Sequence, residues 1–162
     1  MFKALVDLLI KEKIGEESFN SLGNILYPTK ELIIKVNNFL ISYFRGKNNQ
    51  IDKGQILEGN LDYILYHIQY KVKDSPNKEE TILLKTAYIM SYLFTSHSFT
   101  DGNKRTGFVI AMLFFTLNLP HKSPRVIIDY KNNSEYFQKI ASGKTNDKKS
   151  ISDLVQWLKT NI

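Results

Sequence analysis

Residues 79–118 read EETILLKTAYIMSYLFTSHSFTDGNKRTGFVIAMLFFTLN, two strongly apolar runs joined by a short polar segment. The first run, to Ser96, is apolar almost all round; so is the second, from Asn103 to Asn118, which Pro120 stops. A surface helix keeps one polar face, so runs that lack one have the pattern of central buried helices. The pair predicts two core helices with a polar interruption, His97 to Asn103, between them.

Outward from this pair the pattern stays helical. Pro28 and Thr29 form a start signal for a helix from Lys30 to about Tyr43, with Leu32, Ile33, Val36, Phe39 and Leu40 on one face. Leu61 to Val72 reads as another helix, ended by Asp74-Ser75-Pro76-Asn77. Glu135 to Ala141 forms a short helix closed by Gly143, and Ile151, Leu154, Val155 and Leu158 give a final amphipathic one. The least helical stretch is RGKNNQIDKGQILEGN, 45–60, dense in Gly, Asn and charge, a candidate loop or small β-hairpin. At the N-terminus Leu5, Leu8 and Leu9 recur at helical spacing, punctuated by Gly15 and Gly23. No repeat or linker interrupts the chain. The expectation is an all-α fold, compact and helical, with a small β-hairpin flap at about 45–60; residues 1–27 are read as an N-terminal helical extension and 28–162 as the main unit.

Composition narrows the class. In 162 residues, 43% are hydrophobic and the formal net charge is +6, which excludes a disordered or low-complexity chain. The absence of Cys excludes disulfides, zinc-finger sites and a thiol nucleophile. Uncharged apolar stretches fall short of the roughly 18 residues a membrane span requires. Charges at Lys3, Asp7 and 11–13 leave no signal-peptide core, so a soluble, cytoplasmic protein is expected. The basic balance fits a solvated surface or a patch facing phosphate. Most aromatic residues fall at core spacing, and Glu12, Glu16 and Glu17 oppose DNA contact, so nucleic acid is not the expected partner. His67 reads as a core or boundary residue and His121 as a loop residue.

The chemistry concentrates in SHSFTDGNKRTG, 96–107. Asn103, Lys104 and Arg105 would occupy the first turn of the second core helix, where unpaired backbone N–H groups and the helix dipole favour an anion. Gly102 permits strained dihedrals and close approach to a ligand. Asp101 offers a hard oxygen suited to Mg²⁺, which binds through one or two carboxylates plus substrate phosphates. Arg105 can grip phosphate oxygens bidentately, Lys104 adds charge, and His97 can accept a proton near neutral pH. Phe99 is expected to point inward and pin the loop. A capped helix start with a solvated basic end would account for Gly-Asn-Lys-Arg alone, but not for the order of the whole segment.

That order, His-x-Phe-x-Asp-Gly-Asn-Lys-Arg at 97–105, resembles the signature of the Fic/Doc family, HxFx(D/E)(A/G)N(G/K)R, and residues 29–46 and 143–158 look like the first and last parts of its short Doc-type branch. The resemblance implies transfer of part of a nucleotide from ATP or another NTP, with Mg²⁺, to a hydroxyl of a target protein. It implies that His97 is the general base, Asp101 the metal ligand, Gly102, Asn103 and Lys104 the anion cradle and Arg105 the phosphate-binding arginine. It further implies that the 45–60 flap receives the target segment as an added strand.

Two departures bear on the reaction. AMP-transferring members read GNGRxxR, whereas Lys104 stands at the small Gly and Phe108 at the last arginine. Both changes resemble the Doc branch, so γ-phosphate transfer, a kinase-like reaction, is favoured; AMP transfer, or a catalytically silent binding module of the same fold, is the alternative. Ser75 and Glu79 have the spacing of the family's internal inhibitory helix but lack its Gly or Asn and are interrupted by the proline break at Pro76. Restraint by a separate antitoxin-like protein is therefore expected.

Overall fold

The computed structural model describes residues 14–45, 56–122, 132–142 and 148–162. A single turn at Glu16–Ser18 leads into an antiparallel hairpin, β1 (Phe19–Leu22) and β2 (Ile25–Pro28), with Phe19 opposite Pro28 and Leu22 opposite Ile25. Among the described residues six helices follow: α1 (Lys30–Arg45), α2 (Glu58–Tyr66), α3 (Lys78–Thr95), α4 (Asn103–Asn118), α5 (Ser134–Ser142) and α6 (Lys148–Asn161). This is the helical fold that the sequence pattern predicts.

The described part of the N-terminal extension differs from its helical expectation. Residues 19–28 are strands, because Gly23 adopts φ 63° and turns the chain where a helix would have to continue. Phe19, Ile25 and Tyr27 are buried in the common core, so the hairpin is packed on the main body. Residues 1–13 lie outside the described residues, and so do 46–55 of the expected flap; of its margins, Glu58, Gly59 and Asn60 belong to α2.

α3 and α4 make the most extensive contact in the molecule. Asn77 caps α3, its side chain accepting from the N–H groups of Glu79 at 2.8 Å and Glu80 at 3.3 Å, which answers donors left over at a helix start. Every residue of α4 from Thr106 to Phe115 is buried. At the far end of α4, Asn118 donates to Leu26 O and accepts from Leu26 N, each at 2.9 Å, tying the helix to β2.

α2 runs on into a π-helical turn, His67–Lys71. The buried Lys85 of α3 reaches beneath it, donating to Ile68 O at 2.9 Å and Val72 O at 3.2 Å and pairing with Asp74 at 3.0 Å. A buried ammonium is stable only where it is paired and hydrogen-bonded, and here both conditions hold.

Gly107 lets the two core helices approach. A Cβ there would stand 2.7 Å from Phe94 Cδ1 and 2.9 Å from Leu93 Cβ, well inside van der Waals contact. Overpacking costs about 1–3 kcal/mol, while helix propensity favours Ala over Gly by about 1 kcal/mol. Gly107→Ala is expected to destabilise the protein by about 1 kcal/mol and Gly107→Val by more. Thermal melts check this; a melting temperature unchanged in both variants would refute the close contact.

Candidate active site

The loop joining α3 to α4 is fixed on three sides. Phe99 is buried, as expected, and its backbone is held at two points by Asn103, whose Oδ1 accepts from Phe99 N at 3.0 Å and whose Nδ2 donates to Phe99 O at 2.7 Å. From α1, the buried Asn37 donates to Asp101 O at 2.9 Å and to Thr106 Oγ1 at 3.0 Å. From the start of α2, Leu57 N donates to Ser98 O at 2.9 Å and Asn60 Nδ2 to Ser96 O at 3.0 Å.

Within this frame His97 takes φ 49°, the left-handed region that a residue with a Cβ adopts only when its surroundings force it. Its side chain is exposed. Gly102 takes φ 79° at the N-cap of α4, and a Cβ on it would meet Asn37 Nδ2 at 2.9 Å. Conformation and space both require glycine there. Asp101 Oδ1 accepts from Gly102 N at 2.6 Å. No side chain caps α4, so the N–H groups of its first turn, at Asn103, Lys104 and Arg105, have no partner within the helix.

All six residues singled out by the sequence, His97, Asp101, Gly102, Asn103, Lys104 and Arg105, line one cleft of about 570 Å³. Phe94 and Thr100 line it as well. The opposite wall is α5, which presents Ser134, Gln138, Ala141 and Ser142. Its buried Phe137 packs instead against Phe94 and Phe108, ring centroids 5.6 and 5.3 Å apart. The sequence analysis placed a short helix here and gave it no part in the site. The signal was present: polar and small residues at 134, 138, 141 and 142 recur at helical spacing on one face.

Two positions are defined more closely. The side-chain amide of Asn103 is engaged by Phe99, so what Asn103 offers an anion is its backbone N–H at the helix start. Phe108 is fully buried, so the last arginine position of the longer motif does not open on the cleft; an arginine placed there would enter the core unpaired.

Asp101 is suited to sharing a divalent cation with substrate phosphates. Among the described residues, no group of three or more His, Asp or Glu is placed to hold a metal ion. The other histidines lie elsewhere. His67 is half-buried among Tyr63, Tyr88 and Tyr92, with Tyr92 Oη 3.3 Å from Nδ1. Burial, then the charge of Lys71, lowers its pKa, while burial pushes that of Tyr92 up to about 12. His121 is exposed in the turn after α4. Among the described residues no helix is long and apolar enough to cross a membrane.

The helical domain thus brings an anion-favouring helix start, a histidine, a carboxylate and two cations to one polar cleft. The model of the Fic/DOC family matches residues 27–115, more than half of the chain, and the protein belongs to that family. Membership supports a Fic-type protein transferase in general, and enzymes of the family generally use nucleoside triphosphates. No curated protein and no solved structure matches the chain.

Asn37 is the residue on which the loop geometry most depends. Asn37→Leu keeps the volume but leaves Asp101 O and Thr106 Oγ1 without this donor, at a cost of about 1–3 kcal/mol. The expected drop in melting temperature is about 2–4 °C per kcal/mol for a chain of this size. A melt superimposable on wild type would show that the amide carries no load.

Proposed function

We propose that the protein transfers the γ-phosphate of ATP, or of another NTP, to a Ser or Thr hydroxyl of a target protein. The observation that carries this reading is the convergence of His97, Asp101, Lys104 and Arg105 on one cleft, beside a helix start whose N–H groups have no partner within the helix. In the step proposed, an imidazole nitrogen of His97 accepts the hydroxyl proton as the oxygen attacks the γ-phosphorus. The bond from that phosphorus to the β–γ bridging oxygen breaks, and the nucleoside diphosphate leaves with the electron pair. Such transfers require positioning and charge neutralisation more than covalent chemistry. The first-turn N–H groups of α4, Lys104 and Arg105 would hold the phosphates. Mg²⁺ held by Asp101 and the phosphates supplies further neutralisation when bound.

Two features favour γ-phosphate over AMP transfer. Lys104 adds bulk and charge to the cleft where the AMP-transferring signature has Gly. Phe108, in the core, leaves the cleft without that signature's second arginine. We take 28–162 as the catalytic unit, since α5 contributes a wall of the cleft, and the 45–60 segment as the place where the target docks.

Incubation with ATP labelled at the γ- or the α-phosphorus, plus cell lysate, tests the reading. Label on protein from γ-³²P alone is expected, and label from α-³²P would replace this reaction with AMP transfer. His97→Ala should lower the rate about 10²–10⁴-fold with little loss of stability, because the side chain is exposed. Transfer by the alanine variant at the wild-type rate would remove His97 from the base role.

Restraint by a separate antitoxin-like protein belongs to the same proposal. The Ser75–Glu79 pair is engaged elsewhere: Glu79 pairs with Lys122 at 2.6 Å, and Ser75 donates to Glu80 at 2.9 Å. Expression of the chain alone should arrest growth or label cell proteins. Activity seen only after deletion of 1–27 would place the inhibitor within the chain.

A further inference from the structure

α1 presents Asn37, Ile41 and Phe44 at i, i+4 and i+7, a single stripe along the helix. Asn37 holds the loop backbone, and Ile41 Cγ1 lies 3.6 Å from where a Cβ on Gly102 would stand. At the end of the stripe the ring of Phe44 faces Arg105, with the guanidinium carbon 4.7 Å from the ring centroid. Phe44 is itself supported: Tyr43 meets it edge-on at 5.3 Å and stacks on Phe39 at 5.7 Å. Phe39 packs against the core, so a column of rings runs from the interior to the guanidinium.

The chemistry of this contact differs from that of an ion pair. Lys30, Lys85 and Lys122 each pair with a carboxylate, whereas the contact Arg105 makes is with the ring of Phe44. A carboxylate partner would occupy the N–H donors of the guanidinium and cancel its charge. An aromatic face attracts the cation through the ring quadrupole and leaves those donors available to phosphate oxygens. Phe44 is 43% exposed, so the contact lies at the surface, where the guanidinium remains open to solvent.

We infer that Phe44 is a positioning residue for Arg105, holding its guanidinium at the cleft with charge and donors unspent. The inference rests on the nucleotide-transfer reading and concerns how phosphate is gripped. Without the ring, the long Arg105 side chain must be ordered by the nucleotide itself, and affinity falls.

The test compares Phe44→Leu, which keeps apolar bulk without a π face, with Phe44→Trp, which keeps the face. Three measurements are made on the full chain: the NMR resonance of the Arg105 Nε–H, assigned by its loss in Arg105→Lys; KM for ATP against kcat; and the melting temperature. In the free wild-type protein the resonance should carry a ring-current displacement. Phe44→Leu should abolish that displacement and raise KM for ATP about two- to fivefold, the range of an exposed cation–π contact, with kcat less affected. Phe44→Trp should keep both. A Leu variant with wild-type resonance and wild-type KM overturns the positioning role. If the wild-type chain uses no ATP, the nucleotide-transfer reading and the grip on phosphate fall together, while the resonance still shows whether Phe44 holds Arg105.

Discussion

The close approach of α3 and α4 at Gly107 governs the rest of the molecule. With no side chain between them there, the two helices come together near the end of one and the start of the other. The loop must then turn sharply, and Ser96 to Gly102 pays with left-handed dihedrals at His97 and Gly102. Such conformations persist only where neighbours over-determine them. Asn37, Asn60, Leu57 and Asn103 supply that determination, each through a hydrogen bond to the loop or its flanks. The exposure of His97 and the uncapped start of α4 follow from the same turn.

Much of this was legible in the residues. The two apolar runs at 79–96 and 103–118 correspond to α3 and α4 within a residue at each end, because runs apolar on every face have nowhere to go but the core. The His97–Arg105 segment lines the cleft because consecutive residues around a tight turn stay together whatever the remaining chain does. The β-hairpin was missed although Gly23-Asn24, between short apolar segments, is a recognised hairpin turn. Its strands are short and only Phe19 of β1 is buried, so alternation was faint. Other parts were not readable locally. Asn37 lies among apolar neighbours on α1 and acquires its purpose only when residues 64 and 69 positions later fold against it. The π turn at His67–Lys71 is likewise bound to Lys85 on another helix.

Positive charge in the protein is handled in two ways. Lys85 is enclosed, satisfied by two carbonyls, Asp74 and the ring of Tyr27 at 5.2 Å, and so serves structure. Lys104 and Arg105 sit beside helix-start N–H groups, an arrangement that favours an anion. The contrast separates a cation that completes the interior from cations that face a cleft.

The wall contributed by α5 has a consequence for the newly made chain. Synthesis proceeds from the N-terminus, and domains fold as their segments emerge. A nascent chain ending at Asn118 already contains every residue of the His97–Arg105 segment, together with the Asn37 and Leu26 clamps that hold α4 in place. It lacks Ser134, Gln138 and Ser142, and also Phe137, the aromatic residue that covers Phe94 and Phe108. The cleft is therefore one-sided until residues 134–142 have also left the ribosome, so the site is completed well after its His97–Arg105 segment has been made.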